Sequence, residues 1–227
     1  ITLAPGQTTP APWVNVIANA HFGTVVSENG VGYTWCENAH EFRLTPWHND
    51  PVTDASGEAF YLRDEETGRF WSPSPLPAPG EHAYVSRHGF GYSVFEHDNT
   101  QIHSEMTVHV ALDAPVRFAV LKVRNESAEV RRLSATGYVE WVLGDLRPKS
   151  AMHVTTEVDP KTGALAHVPR IAVWPTIPAE AVAALRPDLL LVDLVAMSPA
   201  DRGLLERFCR GCDSHFETVR IHAPRAY

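Results

Sequence analysis

The sequence is poor in the features that betray a chemistry at first sight. Only three of its 227 residues are cysteine, an odd number that builds no disulfide framework. No apolar run approaches the roughly 18 to 20 residues a membrane-spanning helix needs, so no membrane contact is expected of this segment. Positive charge is scarce: 19 Lys and Arg stand against 27 Asp and Glu, a formal net charge of −8 that draws in neither nucleic acid nor an anionic membrane. There is no Gly-x-Gly-x-x-Gly, Walker loop, Gly-x-Ser-x-Gly elbow or His-Glu-x-x-His, which removes the standard handles for nucleotide use, serine hydrolysis and zinc proteolysis. The N-terminus, Ile1-Thr-Leu-Ala-Pro-Gly6, has no basic stretch leading into an apolar one. Nor does it open on Met, so the chain reads as cut from something longer. A reducing, cytoplasmic setting is expected.

What is present reads as a β protein. A hydrophobic share of 44% and a charged share of 20% are those of a globular domain long enough to bury a core. Residues 1–12 carry three prolines and no periodicity, which predicts an extended lead-in, with the fold starting near Trp13. Asn29-Gly30, between Thr24-Val-Val-Ser-Glu28 and Val31-Gly-Tyr-Thr-Trp-Cys36, predicts a hairpin with a type I′ turn. A second hairpin is predicted from Ala59-Phe-Tyr-Leu-Arg63 and Arg69-Phe-Trp-Ser72 around a polar turn ending in Gly68. Residues 102–110 alternate cleanly, Ile102, Ser104, Met106, Val108 and Val110 facing inward and His103 and His109 lying on a wet face. Strands at 116–123 and 133–143 follow. The expected architecture is mainly β, an antiparallel sandwich over residues 13–165, with a short α/β tail over 166–227 built from a helix at 179–185, a strand at 188–195 and a last strand at 216–222.

No metal or other cofactor is expected. Cys209-Arg-Gly-Cys212 with His215 is half a zinc site, and no fourth ligand stands at a matching spacing. His103 and His109 are six residues, roughly 20 Å, apart along one strand and cannot share an ion. His21, His40, His48, His82, His88 and His97 fall at loops and strand ends, where solvated side chains are expected. Glu37, Glu41, Asp50, Asp54 and Asp64 form no acid/base pair by spacing and read as loop caps or surface charges. The informative chemistry is aromatic and amide-rich, because flat rings pack on the C–H faces of sugars while planar amide, carboxylate and guanidinium groups bond vicinal hydroxyls. Trp35 and Trp71, on predicted strands, are expected in the core. Trp47, in the long polar loop 43–57, is expected to face a sugar.

Seven ordered segments carry a resemblance: Pro12-Trp-Val-Asn15, Asn19-Ala-His-Phe-Gly23, Ser27-Glu-Asn-Gly30 with Gly32-Tyr33, Arg43-Leu-Thr-Pro-Trp-His-Asn-Asp50, Tyr61-Leu-Arg-Asp64, Trp71-Ser-Pro73 and Arg87-His-Gly-Phe-Gly-Tyr92. Over about residues 10–165 the chain resembles the N-terminal β-sandwich of glycoside hydrolase family 94, which holds cellobiose and chitobiose phosphorylases and the phosphorylase-like part of cyclic β-1,2-glucan synthases. Thr34 to Trp47 is most similar to the synthase branch. The resemblance implies a supersandwich of the galactose-mutarotase kind, a β-linked glucan or oligosaccharide as substrate class, and a catalytic (α/α)6 barrel as partner. This chain is too short to hold that barrel, so no catalytic residue is expected in it. It also implies a cytoplasmic location, alone or within a larger membrane-associated synthase. Arg43, Trp47, Asn49, Asp50 and Arg63 are the expected sugar-contacting residues; a lectin-like module or an assembly domain without a sugar site is the alternative. A sandwich lacking its later strands leaves edges that the tail or a second copy would cover, and a homodimer is expected.

Overall fold

The computed structural model describes residues 1–50, 52, 55–158 and 165–169. Its elements are β1 (Thr2–Leu3), β2 (Val14–Ala18), β3 (Phe22–Ser27), β4 (Gly32–Cys36), β5 (Glu58–Asp64), β6 (Phe70–Trp71), β7 (Tyr84–Gly89), β8 (Tyr92–Asn99), β9 (Ile102–Val110), β10 (Arg117–Asn125), β11 (Leu133–Val139), the single turn α1 (Arg147–Ser150), β12 (Val154–Val158) and β13 (Leu165–Pro169). All strand pairs are antiparallel. They form a five-stranded sheet β1-β7-β8-β9-β10, two three-stranded sheets, β2-β3-β4 and β11-β5-β6, and the hairpin β12-β13. The predicted tail elements at 179–185, 188–195 and 216–222 lie outside the described residues.

Period-2 patterning builds the core directly. Along β9 every second residue is buried, from Ile102 through Ser104, Met106 and Val108 to Val110. This face, with Phe95 of β8 and Leu121 of β10, packs on Val26, Leu62 and Trp71 of the facing strands. Ile17, Phe22, Cys36, Leu44 and Leu143 form a second cluster beside it. Between the layers sits a charged node. Glu58 accepts hydrogen bonds from Thr34 Oγ1 (2.7 Å) and Thr45 Oγ1 (2.6 Å) and pairs at 2.6 Å with Arg117 of β10. Its three partners hold the carboxylate where solvent cannot reach it.

Two expectations change here. The lead-in contains an element: Thr2 and Leu3 pair with Val85 and Tyr84, Leu3 is buried, and the Ile1 ammonium donates to the Ser86 carbonyl at 2.8 Å. Thr9 and the Trp13 amide both donate to the carboxylate of buried Glu28, which closes the lead-in onto the first hairpin turn. That turn is not type I′. Only Gly30 takes a positive φ, +82°, with Gly30 N–H donating to Ser27 O at 3.0 Å and Ser27 N–H to Val31 O at 2.7 Å. The loop is therefore three residues with a bulge at glycine. The hairpin around Gly68 forms in the expected place, Leu62 opposite Trp71 and Arg63 opposite Phe70.

Candidate functional site

The outer face of the sheet β2-β3-β4 is where sequence and geometry concentrate aromatic surface. Residues opposite one another share a face, so Val16, Val25 and Tyr33 form one row and Ala18, Gly23 and Trp35 the next. Gly23 explains the second row. A Cβ there would lie 2.3 Å from Trp35 Cζ2, so the indole lies across the strand where the glycine leaves room for it. Trp47 covers the sheet from above, its ring 4.9 Å from that of Tyr33, which in turn lies 5.3 Å from Trp35. Tyr33 is enclosed, whereas Trp35 and Trp47 keep partly open surfaces.

Arg43 frames this platform. Its backbone bridges two segments, with Arg43 N–H donating to Gly144 O and Gly144 N–H to Arg43 O, each at 2.9 Å. Its side chain donates weakly to the Ala39 and Asp145 carbonyls at 3.4 and 3.5 Å. Burial pushes the Tyr33 phenol above its ordinary pKa, and the charge of Arg43 opposes that rise. Asn49 is exposed and holds a left-handed φ of +50°, and half-buried Asp50 accepts the Val52 N–H at 2.9 Å. Four of the five expected residues, Arg43, Trp47, Asn49 and Asp50, thus belong to the loop beside the platform.

Arg63 is brought elsewhere. Thr45 docks the loop on Glu58, and Arg63 stands five residues, roughly 16 Å, further along β5. It lies on the outer face of a different sheet, with Phe70 and Ser134 opposite and Glu65 at 4.0 Å. Conversely, Tyr33 and Trp35 belong to the site although Trp35 was expected in the core. The signal was the strand glycine Gly23, since an empty Cβ position opposite an aromatic lets the ring lie across it. Trp71, expected in the core, is there with 1% exposure.

Several titratable groups away from the platform serve the fold. Asp64 caps its turn by accepting the Glu66 and Thr67 amides at 2.9 and 3.2 Å, and its ion pair with Arg131 holds its pKa at about 2. His97 is not solvated as expected: it is buried, stacked on Tyr84 at 3.7 Å, and desolvation pulls its pKa to about 4. His109 is also partly enclosed, its ring 5.0 Å from Phe118, and burial lowers its pKa. Cys36 is buried, its thiol pushed up to about 11 chiefly by desolvation. Among the described residues no three His, Cys, Asp or Glu side chains are grouped to hold a metal ion, and no helix is long and apolar enough to cross a membrane. Asp54 and the pair Cys209 and Cys212 lie outside the described residues.

The stacked antiparallel sheets make this a supersandwich-class β domain. The chain belongs to the glycosyl hydrolase 94 supersandwich domain family, whose model matches residues 1–176. It is 40% identical over 162 residues to a cyclic β-(1,2)-glucan synthase of Rhizobium meliloti (strain 1021), covering 70% of this chain and 6% of the synthase. It is 32% identical over 147 residues to an N,N′-diacetylchitobiose phosphorylase of Vibrio proteolyticus, covering 63% of this chain and 18% of that enzyme. A solabiose phosphorylase of Paenibacillus borealis is 29% identical over 145 residues, again 18% of its length. The chain thus spans a small fraction of each relative.

Proposed function

We propose that this domain is the non-catalytic, sugar-facing supersandwich of a β-glucan phosphorylase or cyclic β-1,2-glucan synthase type protein. It shapes a binding cleft together with a catalytic barrel or a partner subunit. The observation that carries the reading is the pair of partly open rings Trp35 and Trp47, backed by enclosed Tyr33, with Arg43 at the rim: ring surface for the apolar side of a pyranose, and a guanidinium for adjacent hydroxyls. The relatives' names supply the substrate class, a β-linked glucan or oligosaccharide.

Ligand-observed NMR tests this with β-1,2- and β-1,4-linked gluco-oligosaccharides, with and without phosphate. Saturation transfer that is reduced in Trp47→Ala, with the fold intact by circular dichroism, is the expected result. No transfer to any glucan would favour the second reading, an assembly domain whose platform packs on protein. Val16, 61% exposed beside the platform, is the observation that favours that alternative.

A further inference from the structure

The outer face of the five-stranded sheet carries a second exposed ring with polar groups beside it. Gly89, Tyr92, His109 and Phe118 lie opposite one another on four successive strands, so they form one row across β7 to β10. The phenol of Tyr92 reaches over Gly89: a Cβ at that position would lie 2.3 Å from Tyr92 Cζ and 2.7 Å from its Oη. The ring therefore has a glycine floor under one face and is 47% exposed overall. His109, stacked on Phe118, continues the row at its back. On the same face Arg87 pairs with Glu96, and Glu96 stands directly opposite Glu105. Arg87 keeps 54% of its side chain and Glu96 27% in water.

The support beneath this surface is rigid. Asn15 Nδ2 donates to the Gly89 and Tyr92 carbonyls, each at 2.9 Å, clamping both strands of the β7-β8 hairpin. His88 bonds Ser93 Oγ and the Trp13 carbonyl, both at 2.9 Å, on the inner side of the same hairpin. Little conformational entropy is left for a ligand to remove. A fixed ring with one open face, next to an open guanidinium and carboxylate, offers what a pyranose uses: C–H to ring contact and paired hydrogen bonds to neighbouring hydroxyls. A purely apolar partner would take the Arg87–Glu96 pair out of water with only their mutual contact in return.

We infer that Tyr92, Arg87 and Glu96 form a second saccharide-binding surface, for β-linked gluco-oligosaccharides, separate from the Trp47 platform. It shares the ligand class of the proposed function and none of its residues. The test is an NMR titration of the whole chain with β-1,2- and β-1,4-linked glucotetraose, following Tyr92 and Trp47 resonances separately. Saturable shifts at Tyr92 are expected, unchanged in Trp47→Ala, and the affinity read from the neighbouring Glu96 amide should weaken about threefold to tenfold in Tyr92→Ala and in Gly89→Ala, which lifts the ring off its floor. Arg87→Met, a surface change that spares the ring, should weaken the same shifts if either of those variants misfolds. Shifts at Trp47 with none at Tyr92 would overturn this inference and leave the platform standing; shifts at Tyr92 alone would do the reverse. Tyr92 shifts that follow protein concentration, with a dimer in sedimentation, would make this face a protein interface and sink the saccharide assignment.

Discussion

Single buried ionisable groups set the acid limit of this fold. His97 is enclosed and neutral in the native state with its pKa lowered to about 4, while in the unfolded chain it binds a proton near its ordinary 6.5. The unfolded state therefore gains a proton first as pH falls, and stability should drop by about 2 to 3 kcal/mol between roughly pH 6.5 and roughly pH 4. Urea denaturation at stepped pH measures this, and an NMR titration of His97 should show a midpoint near 4. A midpoint near 6.5 would contradict the enclosed ring. Asp64 acts lower: its pKa of about 2 means that its contribution persists until pH falls below about 3.8 and is lost toward about 2. Asp64→Ala, which strands Arg131 at 15% exposure, should cost about 3 to 5 kcal/mol at neutral pH and remove that acid-range loss. Neither group's burial was legible in the sequence. His97 lies in the inward phase of β8 with Ser93 and Phe95, opposite exposed Asp98, yet a titratable ring between polar neighbours carries no sign of its enclosure; the Tyr84 ring from β7 and the Gly80 backbone close over it.

At the scale of elements, local patterning told most of the story. The alternation along β9, the two hairpins and the loop carrying Trp47 all follow from side-chain period and turn residues, because those depend on neighbours in the chain. Turn type did not, since Asn-Gly supports more than one loop geometry and Ser27 and Val31 select the bulged form. Gly30 is needed there twice over: its φ is +82°, and a Cβ would come 2.3 Å from that of Ser74. Gly30→Ala should destabilise by about 1 to 3 kcal/mol in a denaturant titration, while Gly68→Ala, strained in φ and open in space, should lose less. Equal losses would mean that contact with Ser74 contributes nothing. Arg63 shows the limit of local reading. Twenty residues from Arg43 in sequence, it is carried by β5 to the outer face of a separate sheet, a fact of strand direction that composition does not encode.

For the whole molecule, residues 1–12 matter more than their prolines imply. They supply the edge strand β1, fill the core with Leu3, and bring Thr9 to the buried carboxylate of Glu28. Deleting residues 1–12 should lower the melting temperature by several degrees and uncover the edge of β7, visible as faster aggregation on heating. An unchanged transition would show the lead-in to be dispensable. The net charge of −8 favours keeping the intact chain soluble through such an experiment.

Glu58 also constrains the route by which the chain folds. Its partners come from β4, from the loop at Thr45 and from β10, so the site is finished only when segments 13, 24 and 59 positions away have arrived. A carboxylate that sheds its water before they do has nothing to replace it. The expected order is thus late closure, with local hairpins forming first and the layers meeting around Glu58 last, an order that slow refolding in stopped-flow experiments would bear out. A Glu58→Gln chain leaves Arg117 enclosed without its charge partner and should unfold faster, which stopped-flow denaturation measures as a raised unfolding rate.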